Sequence, residues 1–392
     1  MDSVDSRVPP EGNSSVNTEP ALVAITSSFP IKADGSEAAG SFAADLVEEL
    51  SKELPVRVVA PGGASGHEAW CPGVEVFRYA CPDQPLSTLR PWNPMDAWRI
   101  LQVMLAGRAA TEAAIAHGPV RHILALWALP CGDWARYAAD KCGASYSVWT
   151  LGSDIWTLGR IPLVRARLAR VLRDAERCWS DGLKLAEDTR AISGRPVEFL
   201  PSTRRISSKR SVPLKSAPPY RLLFLGRWHK NKGVDLLLDA LKMLDESDWK
   251  RIEAVEICGG GPLESIVRSG VEELRAAGKP VVLRGFLDRV AAEEAFLRAD
   301  WLLIPSRVES IPVVFSDAVK LGCPVIAMPV GDLPRLLDDP PCGVLSASAS
   351  AEGFADAISQ AVAGSAQEFA PGMAAHLKTF DLQVVARRLA CM

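Results

Sequence analysis

Short apolar runs alternate with longer amphipathic stretches along the first half of the chain. Residues 21–27 form the first apolar run, residues 38–52 carry apolar side chains on one helical face, and residues 56–60 form the next run. A strand, a crossover helix and a second strand are the repeating unit of a parallel sheet. The same alternation predicts strands at 74–79, 122–126 and 145–151 and helices at 97–116 and 162–177.

A change of composition separates this half from the next. Residues 201–219 are rich in Pro, Ser and basic side chains and poor in apolar ones, which is typical of an interdomain linker. After it the alternation restarts. It predicts strands at 221–225, 254–258, 281–284, 301–304 and 324–327 and helices at 234–244, 263–277, 291–298, 312–320 and 382–391.

The two halves together predict an α/β fold made of two Rossmann-like domains, whose parallel sheets face a cleft. We predict the first domain at 19–200, the linker at 201–219 and the second domain at 220–378. Residues 1–18 are expected to be a disordered leader, and residues 379–392 to form a final helix that crosses back to the first domain.

Composition and charge exclude several classes of protein. Of the 392 residues, 48% are hydrophobic and 23% are charged, as in ordinary globular domains. The 44 Lys and Arg against 47 Asp and Glu give a net charge of −3, which argues against a nucleic-acid binder. No run reaches the roughly 18 apolar residues of a membrane-spanning helix. The N-terminal segment also lacks the apolar core of a secretory signal, so we expect a cytoplasmic protein.

The cysteine and histidine patterns predict neither disulfides nor a metal site. The nine Cys are odd in number and scattered, with no Cys-x-x-Cys pair, which favours a reducing compartment. The five His are isolated along the chain. His67, His117, His122 and His376 have no partners close by in the sequence, so we assign them to core or surface roles, and we assign His229 to the role of a spectator in a loop.

A basic loop follows the first strand of the second half. Gly226 allows the backbone to turn sharply after the strand, and Arg227 and Lys232 lie in the loop above the sheet. Two cations in such a loop suit a diphosphate. A solvated basic loop without a ligand is the alternative interpretation.

A second loop, at 306–312, lies between a buried strand and a helix. Pro312 fits the first helical position, so the free N–H groups of this helix point to the cleft, where they favour an anion. Glu309 lies just before the helix, and it either caps the helix or binds sugar hydroxyls. Asp317, on the first turns of the helix, is a candidate acceptor for a pair of ribose hydroxyls.

Six motifs follow one another through the second half. With x for any residue, they are FLGRxxxxKG at 224–233, ICGGGPL at 257–263, LRGF at 283–286, PSxxESIPxxxxDA at 305–318, GCPVIA at 322–327 and VGDLP at 330–334. In order and spacing this set resembles the retaining glycosyltransferases of the GT-B fold, family 4 (glycosyl transferases group 1). The first half carries a fainter match at 127–132 and in TLGSD at 150–154.

The resemblance implies that the second domain holds a nucleotide-diphosphate sugar as the donor. Arg227 and Lys232 would neutralise the leaving diphosphate, Glu309 would contact the donor sugar, and Asp317 would hold the nucleotide ribose. The family needs no metal, so no cofactor beyond the donor substrate is expected. Further donor contacts are implied for Gly35, Ser36, Gly226, Gly285, Phe286, Ser310, Ile311, Pro312 and Val313.

The implied reaction transfers the sugar to an acceptor hydroxyl with retention at the anomeric carbon. No side chain is an evident nucleophile, so the departing diphosphate is expected to take the acceptor proton while the loop cations stabilise its charge. The acceptor is a glycan, a lipid-linked molecule or a small molecule such as a secondary metabolite. The sequence leaves this choice open, together with the sugar, the nucleotide base and the oligomeric state.

Two positions depart from the family pattern. Leu151 stands where the family often has the His that meets the donor sugar, and Asp317 stands where a second Glu is usual. A divergent glycosyltransferase, a sugar-nucleotide epimerase on the same fold and a catalytically idle partner or binding subunit therefore stay open as hypotheses. Asp154, the best acidic candidate of the first domain, either orients acceptor or donor or caps a helix.

The helix predicted at 162–177 has a basic face. Five Arg alternate there with apolar side chains, at 165, 167, 170, 173 and 177. An amphipathic helix of the domain with its basic face in solvent is one interpretation. A peripheral contact with anionic lipid, at the inner face of the membrane, is the other.

Overall fold

The structure, a computed structural model, describes residues 19–34, 37, 40–81 and 93–392. The predicted leader at 1–18 lies outside the described residues. The predicted pair of parallel α/β domains is confirmed, and each domain has a sheet of its own.

One eight-stranded sheet forms the centre of the first domain. Its strands are β1 (Ala21–Ile25), β2 (Val56–Gly62), β3 (Gly66–Cys71), β4 (Val74–Ala80), β5 (Val120–Leu126), β6 (Ser145–Thr150), β7 (Cys178–Ser180) and β8 (Glu198–Phe199). Their order is β3-β4-β2-β1-β5-β6-β7-β8, and all neighbours are parallel except β3 and β4. The central strand β1 is buried along its whole length because helices cover both faces of the sheet.

The helices of the first domain are α1 (Ser41–Leu50), α2 (Pro94–Ala116), α3 (Cys131–Cys142), α4 (Ser153–Trp156), α5 (Pro162–Asp174) and α6 (Leu183–Ser193). On one face of the sheet, Val103 of α2, Trp134 of α3 and Leu168 of α5 belong to a single buried cluster. On the other face, Leu46 and Leu50 of α1 belong to a second cluster. Apolar side chains at helical spacing therefore decide which side of each helix faces the sheet.

One six-stranded parallel sheet forms the second domain, in the order β11-β10-β9-β12-β13-β14. Its strands are β9 (Tyr220–Leu225), β10 (Ile252–Cys258), β11 (Val281–Arg284), β12 (Trp301–Ile304), β13 (Val325–Ala327) and β14 (Gly343–Leu345). Because the strands are parallel, their carboxyl ends meet at one edge of the sheet. β9 and β12 are neighbours, so the two loops singled out in the sequence emerge side by side.

The helices of the second half are α7 (Val234–Met243), α8 (Glu246–Trp249), α9 (Glu264–Ala276), α10 (Arg289–Arg298), α11 (Val313–Lys320), α12 (Leu333–Asp338), α13 (Ala351–Ala363), α14 (Ala370–His376) and α15 (Leu382–Ala390). The last of these, α15, packs on α1, and its Val385 and Leu389 are buried in the core of the first domain. None of the described helices is both long enough and apolar enough to cross a bilayer.

Several elements escaped the hydrophobic pattern. The strands β7, β8 and β14 have only two or three residues, too few for a period to show. The edge strand β3 exposes most of its side chains, so it lacks the alternation of a half-buried strand. The helices that were missed are α3, α4, α6, α8, α12, α13 and α14.

Candidate active site in the interdomain cleft

The loops after β9 and β12 are pressed against each other. Gly233 has φ 69°, and a Cβ atom there would lie 1.8 Å from the carbonyl oxygen of Pro305. The Arg307 amide donates to the carbonyl of Asn231 at 2.8 Å, and the Arg307 guanidinium donates to Asp235 at 2.7 Å. These contacts fix the relative position of the two loops, and only glycine fits at the closest approach.

The structure joins Lys232 and Glu309, one from each loop. Lys232 Nζ lies 2.5 Å from Glu309 Oε1, and Ser306 Oγ donates to the same oxygen at 2.9 Å. The Lys232 side chain is 38% exposed and that of Glu309 only 11%. The ammonium therefore lies at the surface of the cleft, with the carboxylate behind it.

Arg227 lies at the surface of the first loop, and its backbone is held firmly. The Gly226 amide donates to the carbonyl of Cys258 at 3.2 Å, and the Trp228 amide donates to the carbonyl of Gly260 at 2.8 Å. The Arg227 side chain is exposed. Over the described part of the chain, nothing forms a hydrogen bond or ion pair with its guanidinium, so this cation is available to a ligand.

The second loop ends at the N-terminus of α11. Pro312 occupies the N-cap, with φ −67° and ψ 134°, and the helix begins at Val313; the prediction that Pro312 is the first helical residue is wrong by one position. Ser310 and Ile311 are buried just before it. Helix N-termini carry unpaired N–H groups and partial positive charge, so this end of α11 suits an anion.

An acid from the first domain faces this loop across the cleft. Asp181 follows β7, and neither its Oδ1 nor the Oγ of Ser310 has a hydrogen-bond partner among the described residues. Burial raises the pKa of Asp181 to about 7, and the charges of Asp154 and Glu309 act in the same direction. The nearby hydroxyls of Ser310 and Ser202 partly oppose that shift. Sequence analysis missed Asp181 because it missed β7.

Asp154 holds the backbone around it. Its carboxylate accepts hydrogen bonds from the amides of Ala128 at 2.7 Å, Ile155 at 3.1 Å and Leu151 at 3.4 Å. Burial raises its pKa to about 6, although these backbone donors favour the charged form. Asp154 lies in the first turn of α4, after the N-cap Gly152, and its carboxylate ties the start of this helix to the turn after β5. In that turn Trp127 has φ 73°, a conformation rare for a bulky side chain.

The remaining predicted donor contacts are spread around the cleft. Gly285 and Phe286 are exposed after β11, and the phenyl side chain of Phe286 is 55% accessible. Leu151 is half-buried against the core cluster of α1, so the position of the family His carries an apolar contact. Gly35 and Ser36 lie outside the described residues.

The second domain is similar in sequence to a known protein family. Residues 219–363 match the family described as Glycosyl transferases group 1. The match covers most of the second domain, including all six motifs, and so supports the resemblance read from them. The two loops described above lie within the matched residues.

Individual relatives extend the comparison. The D-inositol 3-phosphate glycosyltransferase of Corynebacterium aurimucosum is 32% identical over 192 residues, which are 48% of this chain and 45% of the relative. The matched region thus spans less than half of that relative. The sucrose-phosphate synthase of Thermosynechococcus elongatus has a TM-score of 0.71 at 16% identity, over 95% of this chain and 98% of its own. Anabaena HepE in complex with UDP has a TM-score of 0.68 at 14% identity, with the same coverage. These structures confirm the GT-B fold.

Asp317 is the residue of the group 1 motif whose surroundings differ most from the expectation. It is fully buried and pairs with Arg204 from the segment between the domains, with Arg204 Nε 3.3 Å from Asp317 Oδ1. Its neighbour Lys320 donates to the carbonyl of Arg204 at 2.5 Å, and burial lowers the pKa of Lys320 to about 8. A role for Asp317 in ribose binding stays a prediction, and it requires that Arg204 move aside.

Proposed function

We propose that this chain is a glycosyltransferase that moves a sugar from a nucleotide-diphosphate donor to an acceptor hydroxyl, with retention at the anomeric carbon. The observation that carries the proposal is the Lys232–Glu309 pair together with the exposed guanidinium of Arg227 in the same loop as Lys232. Two cations and a carboxylate at one end of a parallel sheet, next to a helix N-terminus, suit a sugar linked to a diphosphate.

The leaving diphosphate would be stabilised by fixed groups of the second domain. A phosphate oxygen would replace Glu309 as the partner of Lys232, and Arg227 would bind the same diphosphate from the edge of the loop. Glu309 would then be free to accept hydrogen bonds from the sugar hydroxyls. Groups that are already in place and act on a charge that develops in the transition state accelerate the reaction without further reorganisation. We propose that no metal ion is needed for this step.

The transfer would take place on one face of the sugar. The acceptor oxygen would form a bond to the anomeric carbon as the bond from that carbon to the diphosphate oxygen breaks, and the acceptor proton would pass to the departing diphosphate. Asp154 is not available as a nucleophile in this arrangement, because its carboxylate is bonded to three backbone amides. The exposed ring of Phe286 would stack on the base. The solved structure of HepE holds UDP, so we propose uridine diphosphate sugars as the first donors to test.

The test is a panel of UDP-, GDP-, ADP- and dTDP-sugars with the full chain and a metal chelator. One donor should raise the unfolding temperature and, with an acceptor mixture, release its nucleoside diphosphate. Lys232→Ala and Arg227→Ala should lower turnover strongly without unfolding the protein. Lys230→Ala is the matched control, because Lys230 is an exposed cation of the same loop. Normal turnover in both Lys232→Ala and Arg227→Ala would contradict the proposal.

A catalytically idle donor-binding subunit is the second candidate, because an apolar contact occupies the Leu151 position. It predicts stabilisation by a donor with neither transfer nor donor breakdown under any acceptor. An epimeric nucleotide sugar formed from the donor alone, without an acceptor, would instead favour the epimerase hypothesis.

We also propose a peripheral contact of α5 with anionic lipid, in line with a lipid-linked acceptor. Leu168 and Leu172 bury one face of the helix in the core, as the amphipathic interpretation requires. Leu163, at its start, is 87% exposed, and Arg170 lies on the solvent side with it. Co-sedimentation with anionic vesicles, reduced by salt and by Leu163→Ser, would support this contact. Equal binding to neutral vesicles would contradict it.

A further inference from the structure

Two histidines and a glutamate meet on the first domain, at the edge of the sheet formed by β3. His67 lies on β3, Glu75 on β4, and His117 at the C-cap of α2. His67 Nε2 is 3.6 Å from Glu75 Oε1, and His117 Nε2 is 3.3 Å from Glu75 Oε2. These histidines have no partners close by in the sequence, and the fold brings both of them to Glu75. The sequence could not show it, because β3 was not predicted and α2 returns to this edge only in the fold.

Both imidazole rings are held by a buried aromatic side chain. The His67 ring stacks on Phe77, with centroids 4.4 Å apart, and the His117 ring meets Phe77 edge-on at 5.4 Å. The two imidazole centroids are 5.0 Å apart. Phe77 is only 4% exposed, so its buried ring supports the two imidazole rings from behind. The rings are thus oriented before any ligand arrives, which lowers the entropy lost on binding.

The spacing of the three side chains fits a small cation. One ligand atom from each residue lies within 4.8 Å of the other two. Ligands about 2.0–2.1 Å from a tetrahedral Zn²⁺ are about 3.4 Å from one another. The two carboxylate-to-imidazole distances, 3.6 and 3.3 Å, run to different oxygens of Glu75, so the set must contract from within 4.8 Å to hold one ion through a single carboxylate oxygen. The His67 and His117 side chains are 42% and 40% exposed, so small rotations can bring their nitrogens closer together.

We propose that His67, Glu75 and His117 bind a divalent transition-metal ion, with Zn²⁺ as the reference ion and a fourth position left to water. Two imidazoles and one carboxylate are a ligand set that Zn²⁺ accepts. The site joins β3, β4 and the end of α2, and it uses none of the residues assigned to donor binding. Its expected effect is on the stability of the first domain, because a bound ion ties three elements together.

The test measures Zn²⁺ binding by calorimetry on the full, chelator-treated chain, with the exposed thiols of Cys142 and Cys391 blocked beforehand. The proposal predicts one ion per chain and a rise in unfolding temperature on adding Zn²⁺. His67→Phe and His117→Phe keep an aromatic ring against Phe77 and remove the ligand nitrogen. Loss of an outer-shell partner costs about 10–100-fold in affinity, so loss of a ligand should cost about 100-fold or more.

The carboxylate is tested with a matched pair of variants. Glu75→Gln should weaken Zn²⁺ binding, and Glu68→Gln, on the neighbouring strand β3, should leave it unchanged, because Glu68 pairs with Arg78. Unfolding curves without metal establish that each variant is folded. Absence of Zn²⁺ binding by the unaltered chain would overturn the proposal, and so would equal binding by the chain and the two His→Phe variants. The second outcome would assign the cluster to ion pairing of two histidines with Glu75.

Discussion

The carboxylate of Asp332, in the second domain, caps a helix of the first. Its Oδ1 and Oδ2 accept the backbone N–H of Lys184 at 3.0 and 3.2 Å. Lys184 lies in the first turn of α6, whose own N-cap, Gly182, has no side chain to offer. The Asp332 amide also donates to the carbonyl of Ser310 at 3.1 Å. One residue therefore connects the predicted donor loop with the other domain.

Replacing Asp332 should weaken this connection. Asp332→Ala is expected to lower the free energy of unfolding by about 0.5–2 kcal/mol, the usual range for loss of an N-cap. Asp332→Asn should lose less, because an amide oxygen still accepts from the helix. Chemical denaturation measures both, with Asp338→Ala, exposed at the end of α12, as the control. Equal stability of Asp332→Ala and Asp338→Ala would show that the cap contributes nothing.

Gly182 packs directly against two side chains of the second domain, so we expect Gly182→Ala to disturb this contact between the domains. A Cβ atom there would lie 2.2 Å from Ser310 Oγ and 2.5 Å from Asp332 Oδ2. The backbone at Gly182 is extended, with φ −147°, which alanine adopts without strain, so any effect comes from the collision. The expected loss is about 1–3 kcal/mol, as for other overpacked sites. Gly63→Ala, whose Cβ meets nothing within 4 Å, is the control. Equal unfolding curves for the two variants would mean that the side chains of Ser310 and Asp332 move away from the added methyl group at no cost in stability.

The stability of the protein should depend on pH through Asp181. Its pKa is raised from 3.8 to about 7, chiefly by burial, so the folded state keeps a proton that the unfolded chain releases. The free energy of unfolding therefore falls as the pH rises from about 4 to 7 and then stays constant. Asp181→Asn should remove this fall in the free energy of unfolding, because the amide of asparagine does not titrate. One pKa unit corresponds to about 1.4 kcal/mol, so the variant should be more stable by up to about 4 kcal/mol at pH 8.

The comparison with pH 4 decides whether that assignment is correct. At pH 4 the unaltered Asp181 is largely protonated in the folded state, and the two proteins should be nearly equal in stability. Urea denaturation at pH 4 and pH 8 gives the two differences. A gain of the same size at both pH values would contradict the assignment to ionisation and would point to altered packing beside Ser310.

The sequence predicts correctly those parts of the fold in which a buried apolar run forms a parallel strand and a loop follows it. The strands β9 and β12 are buried runs followed by loops, and their parallel arrangement places both loops at one edge of the sheet. Lys232 and Glu309 could therefore be assigned to one site before their contact was seen. Arg227 lies in the first of these loops, and its part in the site stays a prediction. The conclusion needed only the direction of the strands and not the packing of side chains.

The contacts that were missed run between distant segments. Arg307 joins the two loops, and Asp332 reaches the other domain; neither pairing leaves a periodic trace in the sequence. Asp181 did leave a signal, since it follows the apolar run Cys178–Ser180 at the carboxyl end of a strand, but three residues were too few to recognise. Composition alone classified 201–219 as a linker. It could not reveal that Arg204 from this segment pairs with a buried carboxylate.

That pair gives the last prediction. Asp317 is fully buried, and Arg204 is its ion-pair partner. Removing one member of a buried ion pair leaves an uncompensated charge, so Arg204→Ala should lower the free energy of unfolding by about 3–5 kcal/mol. Arg221→Ala breaks the exposed pair with Glu253 and should cost about 0–1 kcal/mol.

The double variant Arg204→Ala/Asp317→Asn separates loss of pairing from loss of packing. If the isolated carboxylate causes the instability, neutralising Asp317 in the Arg204→Ala background should restore much of the stability, because the carboxylate no longer carries a charge without its guanidinium partner. Denaturation of the two single variants and the double variant gives the coupling energy directly. Additive losses would mean that Arg204 acts through its packing alone. In that case a role of Asp317 in ribose binding would still require Arg204 to move aside, but without the loss of a stabilising ion pair.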